Sequence, residues 1–487
     1  MVEEIKCGIE IHQQLDSHKL FCKCPSILRN DEPKFIVKRK LHAVKGESGE
    51  IDVAAKHEAI KDKEFIYQGY DTTCLVELDE EPPHKINKEA LIIGLHIALH
   101  LNCEIVPITQ IMRKTVVDGS NTSGFQRTVL IARNGYVQTK SGKIRISSVL
   151  LEEDAARIIQ NKTKENSEEK TIYRLDRLGI PLVEISTEPD ITSAEQCKEV
   201  ALFIGDILRS CKVKRGIGTI RQDVNISIKN HPRIEIKGFQ EPKMFIKTIE
   251  MEVIRQKKLI EINEELKKRK ATGGIHALDI SEIFNNTNCN IIKNALEKNG
   301  KVYGAKLNKF KGIFGTELYP SKRFGTEVSD YAKTSGVNGI IHSDEDLKKY
   351  NLTEEEIIKI KDKLKVGNED LFILVADSEN LAKKAIRLAI ERANMQILKV
   401  SPSEVRADNP DGSTRFLRPM PSSSRMYPET DLGLLKITKD IINQAKKTLP
   451  KLKSEIREEF KKKGLSDEMI KLLSQDDKIE EFMNKYF

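Results

Sequence analysis

The sequence predicts an α+β protein, and three features predict it. Residues 1 to about 240 are dominated by short alternating β-rich runs between Gly, Asn, Asp and Pro clusters. Residues 273–395 mix strand and helix patterns, and residues 436–487 read as helical throughout, with Lys-rich exposed faces. At 487 residues the chain has room for roughly three domains. We place boundaries at 1–272, 273–395, 396–435 and 436–487.

Taken in order, the first segment opens with "KCGIEIHQQL", where Ile9 and Ile11 point one way and Glu10, His12 and Gln14 the other. "VPITQIMRKTVVDGSNTSGFQRTVLIARNGYVQTKSGKIRISSVLLEEDAARII" continues in strands, with a polar loop at 118–124 and a hairpin expected at Asn134-Gly135. One helix stands out here: Cys197, Val200, Ala201, Ile204, Ile207 and Leu208 keep helical spacing behind Ser193 and Gln196, which suit a capping box. "MFIKTIEMEVIRQKKLIEINEELKKRK" then reads as a long charged helix leaving the domain, broken at "ATGG". The 273–395 stretch looks like an inserted α/β module. Residues 407–431 form a loop-rich return segment too long to be an idle connection.

Composition limits the function classes. No apolar run is long enough to span a bilayer, and the Met1 end lacks the basic and apolar zones of a signal peptide, so we expect a cytoplasmic protein with no membrane partner. The net charge of +8 arises from 82 basic and 74 acidic residues that are well mixed; it is compatible with a nucleic-acid partner without specifying one. Eight cysteines without an export signal read as reduced thiols. Cys22, Cys24 and Cys74 form the tightest group, but spacing leaves the fourth ligand of a zinc site unaccounted for, which argues against zinc.

The polar faces carry the chemistry. Glu184 in "PLVEIS", Arg221, Asp223 and Asn225 in "TIRQDVNIS", and Glu235 with Lys237 in "RIEIKGF" each oppose apolar neighbours, and Glu152, Glu153 and Asp154 follow "KIRISSVL". Any one of these strands fits a solvated sheet face. As a set they gather carboxylates, which raise one another's pKa and need cations to compensate. Oxygen ligands from several strands suit Mg²⁺, and Arg221 and Lys237 suit phosphate oxygens. His12 reads as a metal ligand, a general base or a structural residue. There is no P-loop, kinase signature set or G-x-S-x-G elbow, and "GIGTIRQD" opens a strand, which excludes a Rossmann reading.

"GIEIHQQL", "VDGSNTSGFQRT", "LLEEDAARII", "RLDRLGIPLVEISTEPDI", "IRQDVNISI" and "EIKGFQ" resemble, in order, the signature motifs of the B/E subunit family of glutamyl-tRNA(Gln) amidotransferases. "ELYPSKRFGTEVSDYAKTSGVNGIIHSD" resembles the insert of bacterial-type aspartyl-tRNA synthetases, which marks the archaeal E branch. The resemblance implies an antiparallel-sheet cradle related to glutamine synthetase, an inserted α/β aspartyl-tRNA synthetase-like domain and a C-terminal helical domain. It implies phosphorylation of the glutamyl γ-carboxyl of Glu-tRNA(Gln) by ATP, then amidation with ammonia from an asparaginase-like D subunit, in a heterotetramer of two D and two E subunits.

Carried over by motif, Glu10, His12, Glu153, Glu184, Asp223 and Glu235 would form the metal and catalytic set, with Glu152 an alternative to Glu153. The metal would be Mg²⁺, with Mn²⁺ admissible because of the imidazole. Arg221, Lys237 and Asn225 would meet ATP, while Ser120, Asn121, Gln126, Arg425 and Tyr427 would line the substrate pocket. Family members usually continue into a tRNA-contacting tail domain, which this chain is expected to lack. The rival readings are a non-catalytic tRNA-binding scaffold, an adenylating synthetase relative and a metal-dependent hydrolase. The first gives no reason for gathered carboxylates, the second lacks HIGH- and KMSKS-like signatures, and the third should turn over without ATP.

Overall fold

Ile9 and Ile11 are buried while Glu10 and His12 keep partial exposure, so the Ile5–Gln14 strand turns one face to a core as its alternation requires. The computed structural model describes residues 5–470 apart from 43, 46–48, 60–63, 166–167, 240, 422–424, 463 and 467; side chains at 57–59, 160–165 and 168–169 are also outside the description. The helical expectation for 471–487 lies outside the described residues. Two compact units emerge: Gly8–Ile191 with Glu195–Gln222 and Pro421–Phe487, and Asp223–Met420 with Met1–Cys7 and Thr192–Ala194.

In the first unit, Ile5–Gln14 runs antiparallel to Pro181–Thr187, followed by Gly142–Glu153, Phe125–Thr139, Ile111–Thr115 and Met426–Pro428. Ile11, Val129, Ile131, Val149, Leu151, Val183 and Ile185 are fully buried on one side. Each such side chain contributes roughly 1.5–3 kcal/mol of burial, which makes a one-residue register slip prohibitive, because a slip would exchange the two faces. The Lys88–His100 helix covers this apolar face so closely that a Cβ at Gly94 would lie 2.9 Å from Ile131 Cδ1 and 3.0 Å from Leu151 Cδ2. A second, four-stranded sheet of Phe35–Arg39, Glu64–Gly69, Glu168–Arg174 and Arg157–Glu165 packs Phe65, Tyr67 and Tyr173 together. Tyr67 and Tyr173 donate from Oη to the carbonyls of Gly119 and Asp118, each at 2.8 Å, and so brace the 118–124 loop.

Two differences from the sequence reading concern this unit. The Ala194–Ser210 helix is where periodicity puts it, but Lys88–His100 escapes that criterion because it is apolar nearly all round, with Ala90, Leu91, Ile93, Leu95, Ile97 and Ala98 buried. Asn134-Gly135 is not a hairpin turn: Phe125–Thr139 runs straight through it, and the chain reverses at Lys140-Ser141, where Thr139 faces Gly142. Gly135 serves close packing instead, since a Cβ there would meet Cys103 Sγ and the Leu101 carbonyl.

In the second unit, Ile234–Phe239 pairs in parallel with Glu404–Asp408, which pairs antiparallel with Thr414–Pro419. The charged helix spans Pro242–Lys268, with proline near its N-terminus where the missing N–H costs nothing. Leu259, Ile262 and Leu266 from its second half enter an apolar core with Ala382, Ala385, Ile386 and Ala389. A four-stranded sheet, in the order Ala277–Asp279, Lys301–Leu307, Leu371–Asp377 and Ile341–His342, carries a second apolar cluster around Ile292, Ile360 and Leu364. Beneath lies a fully buried charge group: Arg255 and Arg406 donate to Glu327, and Glu252, Glu404 and Arg392 complete the set. Among the described residues, no helix is long and apolar enough to cross a membrane.

Candidate active site

The polar face of the first sheet brings four of the expected residues together. Antiparallel register sets His12 opposite Glu184, and Leu182, two residues before Glu184, opposite Glu152. His12 Nε2 lies 3.2 Å from Glu184 Oε2, 3.5 Å from Glu10 Oε1 and 3.8 Å from Glu152 Oε2. A residue that motif spacing did not single out, Lys114, donates to Glu152 and lies 3.4 Å from Glu184. Gln126, opposite Lys114 in the ladder, donates to Glu152 Oε2 at 3.1 Å and to the Glu153 carbonyl at 2.7 Å.

Electrostatics here is that of a charged group held out of water. Burial would lower the pKa of His12, but the Glu184 hydrogen bond and the charges of Glu184, Glu10 and Glu152 outweigh it and raise it to about 9. Burial likewise opposes ionisation of Glu184, yet Lys114 and His12 hold its carboxyl well below the usual range. Glu152 is driven upward, first by burial and then by Glu184. The two carboxylates therefore have opposite tendencies, Glu184 toward the anion and Glu152 toward the protonated form.

Glu152, the alternative to Glu153, is the residue beside His12. Glu153 falls on the other face by alternation, where it accepts from the Arg127 backbone and guanidinium at 3.2 and 3.4 Å. Arg221 donates to Asp154 Oδ1 at 2.8 Å, and Asp154 also accepts from Gln14 Nε2 at 2.6 Å. In the second unit, Lys237 bonds to both Asp223 and Glu235, and Asn225 shares the Asp223 face, half-buried.

The pocket residues divide. Ser120 donates from Oγ to Asp118 at 2.6 Å and to Asn121 at 3.3 Å, so these two bond within their own loop. Arg425 donates to the Thr115 carbonyl at 3.1 Å, and its charge acts on Lys114. Tyr427 stands edge-on to Phe125, with the Arg113 guanidinium over both rings. Arg113 and Arg127 converge on fully buried Glu429, which sequence reasoning missed. No local signal marks Glu429 or Lys114, because each acts through a non-local pairing.

His12, Glu152 and Glu184 each offer a ligand atom within 4.8 Å of the other two. One imidazole and two carboxylates suit a divalent cation of the Mg²⁺ or Mn²⁺ kind. Lys114 supplies positive charge to the same carboxylates. A second donor group is Cys22, Cys24, Cys74 and Glu77, again within 4.8 Å. Cysteine spacing alone left the fourth position of a zinc site open, and Glu77 stands close enough to offer a fourth donor atom. Burial raises its carboxyl pKa, while Lys19, at 3.2 Å, opposes the rise.

A family model described as the GatB/GatE catalytic domain matches residues 5–443. The chain is 50% identical over 473 residues, 96% of its length and 74% of the relative's, to the E subunit of the glutamyl-tRNA(Gln) amidotransferase of Methanocaldococcus jannaschii. The protein of the same name from Saccharolobus solfataricus is 47% identical over 99% of this chain and 77% of its own, and that of Methanothermobacter thermautotrophicus 45% identical over 98% and 76%.

Proposed function

The chain belongs to the GatB/GatE family, and from that premise we propose that it performs the ATP-dependent step of tRNA-dependent amidation. The substrate is the glutamyl group of misacylated Glu-tRNA(Gln), whose γ-carboxylate is phosphorylated and then attacked by ammonia to give Gln-tRNA(Gln). A free carboxylate is a poor acylating agent, and phosphorylation supplies the leaving group.

The observation that carries this reading is the gathering of His12, Glu184, Glu152 and Lys114 on one sheet face. Glu10, His12, Glu152 and Glu184 would hold Mg²⁺ or Mn²⁺, which supplies charge neutralisation for the transferred phosphoryl group. Lys114 favours the ionised form of Glu184 and opposes the upward shift of Glu152. Arg221 would turn from Asp154 toward phosphate oxygens, and the family set gives Lys237 and Asn225, in the second unit, a part in holding ATP. Gln126 and Arg425 border the acyl group, with Ser120, Asn121 and Tyr427 shaping the approach. Asp223 and Glu235 belong to the same family set; Glu153, tied to Arg127, orients the strand instead.

Ammonia would come from an asparaginase-like D subunit in a heterotetramer of two D and two E subunits. The antiparallel-rich sheet supports a cradle of the glutamine synthetase kind, and the 273–395 module supports an aspartyl-tRNA synthetase-like insert. The test is ADP release by this chain with a D subunit, ATP, Mg²⁺ and Glu-tRNA(Gln), comparing wild type with Glu10→Gln. Substrate-dependent release that the substitution abolishes is expected. Unchanged release in the variant removes Glu10 from the site, and no release by wild type favours a non-catalytic tRNA-binding scaffold.

A further inference from the structure

Asp154 is fully buried and serves more than Arg221. It stands two residues beyond Glu152, and Gln14, which donates to its Oδ2 at 2.6 Å, stands two residues beyond His12. One strand step of two residues is roughly 7 Å, so Asp154 borders the His12–Glu152–Glu184 cluster on the same sheet face. Its Oδ1 accepts from Arg221 Nη2 at 2.8 Å and lies 3.8 Å from Nε of a second guanidinium, that of Arg177. Two arginines thus share one carboxylate oxygen at the edge of the site.

Arg177 is anchored on one side only. Its Nε donates to the Ala155 carbonyl at 2.8 Å and its Nη2 to the Ala156 carbonyl at 2.9 Å, which fixes the plane of the guanidinium. Nη1 has no hydrogen-bond partner among the described residues, yet it is not a buried orphan: the side chain is 23% exposed, and this edge meets solvent. Nearby charges do not balance. Asp176, also fully buried, accepts from Arg157 Nη2 at 2.6 Å and from the Arg29 amide at 2.7 Å. Two carboxylates, Asp154 and Asp176, therefore face three guanidiniums, those of Arg157, Arg177 and Arg221. The pKa of Arg177 carries the mark of that surplus: burial lowers it, Asp154 and Asp176 oppose the fall, and Arg221 and Arg157 add to it. Arg113, hydrogen-bonded to Glu429, is raised instead.

We propose that Arg177 is a phosphate-binding residue of this site: its open Nη1 edge, together with Arg221, takes one phosphate group of the ATP whose metal the neighbouring cluster would hold. The inference rests on the ATP-dependent reading above. A guanidinium suits the part because its planar fork donates to phosphate oxygens in a fixed geometry, and the two carbonyl bonds on the far side set that geometry before the nucleotide arrives.

Equilibrium dialysis of labelled ATP against the full chain tests this. Arg177→Gln should weaken ATP about tenfold or more and raise the KM for ATP in ADP release to match, leaving the KM for Glu-tRNA(Gln) unchanged. Arg145→Gln, which breaks an exposed pair with Asp190, should change neither. Phenylglyoxal labelling of the wild-type chain, read by peptide mass, covers the case in which Arg177→Gln does not fold: ATP should shield Arg177 and leave Arg145 labelled as before. Wild type that binds ATP without shielding Arg177, or Arg177→Gln with wild-type affinity, overturns the inference and leaves the ATP-dependent reading in place. Equal losses of affinity for ATP and for Glu-tRNA(Gln) in Arg177→Gln reduce Arg177 to a tie on the 155–156 backbone and overturn it as well. Wild type that fails to bind ATP overturns both.

Discussion

His12 and Glu184 face each other across two antiparallel strands, with Nε2 and Oε2 3.2 Å apart and both largely buried. Their contact and Lys114 favour the charged form of each while no cation is bound, and a metal ion would take the place of the His12 proton. Glu184→Gln removes the standing anion while keeping volume and one hydrogen-bonding oxygen. ADP release should fall by about 10²-fold or more, as for loss of a preorganised electrostatic group, and the thermal midpoint should drop as well, because His12 and Lys114 lose a buried partner. A variant with wild-type turnover would place the chemistry elsewhere.

Glu10, His12 and Glu184 were legible because alternation along a strand is a local property: apolar neighbours at Ile9, Ile11, Val183 and Ile185 declare which face the polar residues occupy. The same alternation could have separated Glu152 from Glu153, had the register of Gly142–Glu153 been known. Lys114 and Glu429 were not legible, since each joins its partners through strand pairing distant in sequence. Lys88–His100 was hidden by its own apolarity, and Asn134-Gly135 was misread because a glycine needed for close approach looks the same in sequence as one needed for a turn.

Three thiols and a carboxylate within 4.8 Å form a donor set of the kind that holds zinc tetrahedrally. Cys24 is the thiol best prepared to ionise: hydrogen bonds from Cys22 and Cys74 lower its pKa from the usual thiol range. Elemental analysis of protein purified without chelator should find zinc near one per chain. Cys24→Ser together with Cys74→Ser should lose it, with a lower thermal midpoint. Metal-free wild type with unchanged stability would return the group to buried thiols hydrogen-bonded to Glu77.

His231 is buried, with Nδ1 bonded to the Pro232 carbonyl at 2.8 Å; burial and then the charge of Arg255 depress its pKa to about 4, with Arg392 adding to and Glu252 opposing the shift. An unfolded chain takes up this proton near pH 6.5, the folded one only near pH 4, so stability is lost as pH falls through that window and is unaffected above it. The full loss is about 3 kcal/mol at 1.4 kcal/mol per unit. His231→Gln should flatten the dependence of the unfolding midpoint between pH 6.5 and 4. An identical slope in both proteins would assign acid lability to other groups.

Glu327 is fully buried and accepts from Arg255 Nη1 at 2.7 Å and from Arg406 at 2.6 and 3.0 Å. Burial alone would push its carboxyl upward, but Arg406 and Arg255 hold it well below the usual range. Burying ions costs several kcal/mol each, so the group is stable only while its charges balance. Three carboxylates, Glu252, Glu327 and Glu404, meet three guanidiniums, Arg255, Arg392 and Arg406, all without solvent access. Glu327→Gln leaves the shape intact and one positive charge uncompensated, at a cost of roughly 3–5 kcal/mol. The unfolding midpoint of this unit should drop steeply, whereas Glu379→Gln, which breaks the exposed pair with Lys383, should leave it unchanged. Equal stability of Glu327→Gln and wild type would mean that the guanidiniums find water or another anion, and that the network orders the module without holding it together.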